Sequence, residues 1–110
     1  MGLLDDRSGL SGSVALVAGG AGGLGGGVSL DLARCGARLA VCDRDGEAVE
    51  RITAELDELG ADAITGVLDV RDHDALAGFF SRADEHFGEL DILVNVVGGT
   101  FKAPFTSTNA

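Results

Sequence analysis

The stretch VALVAGGAGGLGGGVSLDLARCGARLAVCD, Val14 to Asp43, decides how this chain folds. It opens on an apolar run, Val14 to Val17, and passes at once into Gly19, Gly20, Gly22, Gly23, Gly25, Gly26 and Gly27. Val28, Leu32 and Cys35 then recur at helical spacing, Gly36 stops the helix, and a second apolar run from Leu39 to Cys42 ends on Asp43. The pattern predicts a strand, a glycine turn, a helix from Gly23 to about Cys35, and a strand with an acid at its tip. Glycine at this density marks a backbone that something approaches closely. The order is that of a dinucleotide-binding βαβ unit. Turn N–H groups and the positive end of the helix reach a pyrophosphate, and the acid takes the hydroxyls of the adenosine ribose.

The pattern continues on both sides. Met1 to Ser11 is a polar lead-in, and Ser13 to Ala18 is the first strand, whose apolar residues do not alternate, as in a parallel strand covered on both faces. Asp45-Gly46 opens a second helix to about Leu59, with Val49, Ile52, Leu56 and Leu59 on its inner face. Glu47, Glu50, Glu55, Asp57 and Glu58 lie on its solvated surface. Ala63 to Leu68 is the third strand, closed by Asp69-Val70. Asp72 or Asp74 caps a third helix with the apolar stripe Leu76, Phe79, Phe80, Ala83 and Phe87. Ile92 to Val96 is the fourth strand, and Gly98-Gly99 opens a loop. Gly26 and Gly27 each cost a helix about 1 kcal/mol relative to alanine. Close packing of the helix start accounts for them, with compositional drift as the alternative. The alternation implies an α/β fold, a doubly wound parallel sheet of strand order 3-2-1-4 with right-handed crossovers. The ligand is expected at the carboxyl ends of strands one and four, beside Gly19, Gly23, Gly25 and Asn95.

Composition narrows the partners. The 110 residues are 45% hydrophobic and 24% charged, the balance of one small globular domain. Eighteen acids against eight bases give a net charge of −10, which repels nucleic acid and anionic membranes. Cys35 and Cys42 form no Cys-x-x-Cys and are expected to be buried free thiols. His73 and His86 fall at opposite ends of the third helix, too far apart to share a metal. The acids Asp5 and Asp6 stand where a secretory leader carries bases, so a cytoplasmic location is expected. Ser8 to Leu30 is free of charge, but it is too rich in glycine and too poor in large apolar residues to suit a bilayer.

The glycines fit two frames. Gly20, Gly22 and Gly25 make Gly-x-Gly-x-x-Gly, and Gly19, Gly23 and Gly25 make Gly-x-x-x-Gly-x-Gly. In the second frame, with Asp69-Val70 after strand three and Asn95-Val96-Val97-Gly98 after strand four, the chain resembles the short-chain dehydrogenase/reductase family from about Ser13 to Gly98. The resemblance implies that residues 1–110 are the N-terminal dinucleotide-binding half of a Rossmann-like domain, truncated after the fourth strand. It implies NAD as cofactor, with contacts at Gly19, Gly23, Leu24, Gly25, Asp43 and Arg44. Asp69 and Val70 would meet the adenine, and the stretch from Asn95 to Gly98 would pass beside the cofactor. An alcohol or carbonyl substrate and a homo-oligomer are implied as well. Plainer roles stand beside these: Asp43 and Asp69 as polar strand ends, Asn95 as a brace. Ala18 stands where the family usually has threonine, and Val96-Val97 where it more often has Asn-Ala.

Hydride transfer to or from an alcohol needs a group that trades a proton with the substrate oxygen. Family members use Tyr-x-x-x-Lys, a serine and a further asparagine. This chain has no tyrosine, its single lysine is Lys102, and Asn109 follows Asn95 too closely to match that asparagine. No catalytic or metal-binding residue is therefore assigned, and the chain alone is expected to be inactive. Other readings are a non-catalytic NAD-binding module, an inactive fragment, or an FAD-binding βαβ unit in the Gly20-Gly22-Gly25 frame. Asp43 and the absence of a base at Gly22 favour NAD over NADP, while Arg44 acts the other way. The fourth strand would leave Ile92, Leu93 and Val94 on a bare edge prone to self-association.

Overall fold

The computed structural model describes residues 11–96. Its elements run β1 (Val14–Ala18), α1 (Gly23–Arg34), β2 (Arg38–Asp43), α2 (Gly46–Glu58), β3 (Ala63–Val67), α3 (His73–Phe87) and β4 (Ile92–Asn95). The strands form one parallel sheet in the order β3-β2-β1-β4. This is the Rossmann-like topology that the alternation of elements predicts.

β1 is the centre of the sheet, and every residue in it is buried. Because side chains alternate across a strand, it feeds two cores. Ala15 and Val17 face one side with Leu39 and Val41 of β2. There they meet Ala48, Val49, Ile52 and Leu56 of α2, and the partly buried Leu30, Leu32 and Ala33 of α1. Val14, Leu16 and Ala18 face the other side with Ala40 and Cys42, under Phe79, Ala83 and Phe87 of α3. One face thus carries two helices and the other one helix, and the chain crosses between faces after β3.

Local chemistry sets the helix ends. Asp45 caps α2 by accepting from the Ala48 N–H at 3.2 Å, and Asp72 caps α3 by accepting from the Ala75 N–H at 3.2 Å. Asp72, rather than Asp74, is therefore the cap. α1 differs. Its N-cap is Gly22, with no side chain to accept a hydrogen bond, and its first turn holds no acid.

Some expectations shift. Leu59 lies past the end of α2 and is 44% exposed, because the inner stripe already closes with Leu56. Cys42 is buried, but Cys35 at the end of α1 is only half-buried. Among the described residues no helix is long and apolar enough to cross a membrane. The acids of α2 are all exposed, as a solvated face requires.

The two sheet edges differ. On β3, the Arg82 guanidinium lies over the Phe79 ring at 5.4 Å and reaches the Thr65 carbonyl at 3.4 Å. On β4, Leu93 is 58% exposed, and no described strand pairs with its outer side. At the amino ends of the strands, Asp91 accepts from the Val14 N–H at 2.9 Å, while Arg38 bonds the Gly12 carbonyl at 2.7 Å and Glu89 at 2.8 Å.

The two helix glycines part company. A Cβ on Gly26 would meet the Ala21 carbonyl oxygen at 2.8 Å, whereas one on Gly27 would meet nothing within 4 Å. Close packing explains Gly26 and does not explain Gly27. Gly27→Ala is expected to stabilise the fold by about 0.5–1 kcal/mol in urea unfolding. Gly26→Ala is expected to destabilise it.

Candidate cofactor site

The site is built where β1 ends. Gly19 and Gly23 have φ of +77° and +53°, a region that side-chain-bearing residues rarely adopt. Between them the chain doubles back, so that the start of α1 lies against the end of β1. Gly25 touches Gly19 there. A Cβ on Gly25 would fall inside the Gly19 carbonyl oxygen, a backbone atom that cannot swing away. Gly22, by contrast, has room, since a Cβ there would meet only the Ala48 methyl at an ordinary 3.6 Å. The backbone therefore enforces glycine at the positions of the Gly19-Gly23-Gly25 frame and not throughout the Gly20-Gly22-Gly25 frame.

β2 holds the turn from one side. The N–H groups of Gly19 and Gly20 both donate to the Cys42 carbonyl, at 2.8 and 3.1 Å. The Ala21 N–H donates to Asp43 Oδ2 at 3.2 Å, and the Asp45 N–H donates to Asp43 Oδ1 at 3.1 Å. Asp43 is half-buried at the tip of β2, and each of its oxygens keeps a lone pair for a further donor. The N–H groups at the start of α1 have no intrahelical acceptor, as at any helix start. With Leu24 76% exposed, that helix end opens outward.

Strand register brings the other predicted residues to the same rim. Ala18 stands opposite both Cys42 and Asn95, and Asp43 opposite Val67. The Leu68 N–H donates to the Asp43 carbonyl at 3.0 Å, which sets Asp69 just beyond the tip of β2. Val70 packs on the α3-side core. Arg44 is exposed, and its charge acts on Asp69. Asn95 is the last residue of β4, and Gly98 lies outside the described residues.

Arg71 grips Asp69. Its backbone N–H donates to Asp69 Oδ1 at 2.9 Å, and its guanidinium reaches Oδ1 at 3.1 Å and Oδ2 at 2.8 Å. These hydrogen bonds hold the Asp69 carboxyl down at about 2. Cys42 behaves oppositely: burial pushes its thiol up to about 11. No described group of His, Cys, Asp and Glu is placed to hold a metal, and His86 instead lies 3.1 Å from Asp62 on the surface.

Gly20, the first residue of the other glycine frame, is tightly enclosed as well. Two contributors escape the sequence patterns: Ser29 reaches back to the turn from inside α1, and Arg71 orders Asp69. A lone serine on the buried face of a helix was the available signal for Ser29.

Comparison with known proteins agrees with this geometry. Residues 13–110 match the short chain dehydrogenase family, and the chain belongs to it. Short chain dehydrogenase/reductase dpchG of Colletotrichum higginsianum is 39% identical over 90 residues, covering 82% of this chain and 34% of that protein. The 2,3-dihydro-2,3-dihydroxybenzoate dehydrogenase of Bacillus subtilis is 37% identical over 93 residues, covering 84% and 36%. The chain thus spans about a third of the length of these relatives. A short-chain dehydrogenase/reductase from Burkholderia phymatum, solved in complex with NAD, superposes with a TM-score of 0.74 at 28% identity, covering 76% of this chain and 30% of its own.

Two measurements check the electrostatics. Carboxyl NMR is expected to show Asp69 titrating near pH 2, with Arg71→Ala returning it toward 3.8. The folded pKa is depressed, so this contribution to stability is complete above pH 3.8 and is lost as pH falls toward 2. At pH 8 a thiol reagent is expected to modify half-buried Cys35 and to spare Cys42 until the chain unfolds.

Proposed function

We propose that this chain is the NAD-binding part of a short-chain dehydrogenase/reductase, an oxidoreductase acting on a small alcohol or carbonyl compound. The observation that carries the proposal is the pairing of an uncapped, glycine-lined helix start with a half-buried carboxylate at the neighbouring strand tip. The groups present fit a dinucleotide. Glycine at positions 19, 23 and 25 lets the backbone come within hydrogen-bond reach of a pyrophosphate, and the start of α1 supplies unsatisfied N–H groups and a positive dipole end. The two free lone pairs of Asp43 suit the paired ribose hydroxyls, while Leu24 is exposed enough to cover a ligand. Asp69 and Val70 are assigned to the adenine, Arg44 to the adenosine edge, and Asn95 with Gly98 to the far side of the crevice.

When bound, the nicotinamide would accept or give the hydride. The residues of this chain bind and orient the cofactor, and none is assigned to move the substrate proton. On this reading residues 1–110 are a dinucleotide-binding half, cytoplasmic, and part of a homo-oligomer.

NAD is preferred to NADP because Asp43 would face the additional phosphate. Two like charges about 4 Å apart at an effective dielectric near 20 repel by about 4 kcal/mol, close to a thousandfold in affinity, which Arg44 reduces. Calorimetric titration of the chain is expected to show NAD binding at least ~10-fold tighter than NADP, with Asp43→Ala narrowing the gap. Equal or tighter NADP binding overturns the preference, and binding of FAD in place of both overturns the cofactor class. Steady NADH production from an alcohol by this chain would overturn the reading that it holds no catalytic group.

A further inference from the structure

Among the described residues, Ser29 is the only buried polar side chain. It lies fully buried on α1, with its hydroxyl beside Gly20 at the end of β1. A hydroxyl out of water is costly unless it is bonded. Its partner is the Gly20 carbonyl oxygen, 2.8 Å away and buried as well. Gly20 must be glycine for this contact, since a Cβ there would sit 2.7 Å from Val17 Cγ1 and 2.8 Å from Ser29 Oγ.

The contact completes a two-sided clamp on the turn. From β2, the Cys42 carbonyl and the Asp43 carboxylate take the N–H groups of Gly19, Gly20 and Ala21. From α1, Ser29 takes the carbonyl of Gly20. With those N–H groups committed to β2, a pyrophosphate is left with the N–H groups at the start of α1, which the turn must aim correctly. Side-chain-free residues crowd this turn, so its peptide planes are set by the clamp together with the close approach of Gly25 to the Gly19 carbonyl.

We propose that Ser29 is a positioning residue for the dinucleotide pyrophosphate: by holding the Gly20 carbonyl toward α1, it keeps the turn in the form that presents the helix N–H groups to the phosphates. The inference rests on the dinucleotide reading above and extends it to a residue that would not itself touch the ligand. Its effect falls mainly on the phosphates, because the adenosine end is served by Asp43 at the tip of β2 and by Asp69 beyond the end of β3, neither of which touches Ser29.

The test compares ADP with adenosine by NMR titration of the 110-residue chain, and adds NAD by calorimetry. Ser29→Ala is expected to weaken ADP and NAD by roughly five- to tenfold, the worth of about one hydrogen bond, and to leave adenosine within about twofold. Ser29→Cys, of similar size and with a weaker donor, is expected to fall between. Phe87→Leu, in the core on the opposite face, is a control that lowers thermal stability and leaves the ADP-to-adenosine ratio unchanged. A wild-type ratio in both Ser29 variants overturns the inference, as does an equal shift of the ratio in the Phe87 control. If the wild-type chain binds neither ADP nor NAD, the dinucleotide reading fails and Ser29 with it. Binding by the wild type with an unmoved ratio in the variants removes Ser29 alone.

Discussion

The contact between the Gly25 backbone and the Gly19 carbonyl is the constraint on which the rest depends. It brings the first turn of α1 against the end of β1 with no side chain between them, and so fixes where the helix begins and at what angle it leaves the sheet. From that angle α1 returns along the face that α2 also covers, delivering the chain to β2 beside β1. The carboxylate at the tip of β2 then closes the loop by binding the Ala21 N–H of the same turn. Asp43 is therefore part of the turn's own architecture as well as a candidate ligand group.

Elements defined by hydrophobic period and breakers were readable because one residue class decides each of them. Val14 to Val17 had to be a doubly covered strand, and the Phe79-Ala83-Phe87 stripe had to face a sheet. Leu59 departs from the inner stripe because apolar periodicity in the sequence continues past the helix end, where the residue is exposed. The two glycine frames could not be separated by pattern, since both are satisfied by the same letters. Only φ at Gly19 and Gly23 and the room at Gly22 distinguish them.

The candidate site was legible to the extent that it is made of strand tips. Asp43, Asp69 and Asn95 follow apolar runs at the expected intervals, and parallel register brings them to one rim. Interactions between side chain and backbone across the fold left weaker marks. Ser29 bonds a carbonyl nine residues away, a spacing of no helix or strand period, and Arg71 bonds an acid two residues back within a turn, where no strand period runs.

The two edges of the sheet are occupied unequally. At β3, Arg82 occupies the Thr65 carbonyl while its charge rests on an aromatic ring, so that an incoming strand would have to displace a guanidinium and leave it beside a backbone it no longer serves. At β4, Leu93 offers an exposed apolar side chain and no described cation stands guard. Val67 is as exposed on the β3 edge as Leu93 is on the β4 edge, so the contrast between them lies in backbone already claimed by a cation and not in apolar surface. A strand added beside β4 would run next to the rim where Asn95 and Ala18 stand opposite each other, a place where pairing and ligand access share the same few ångströms.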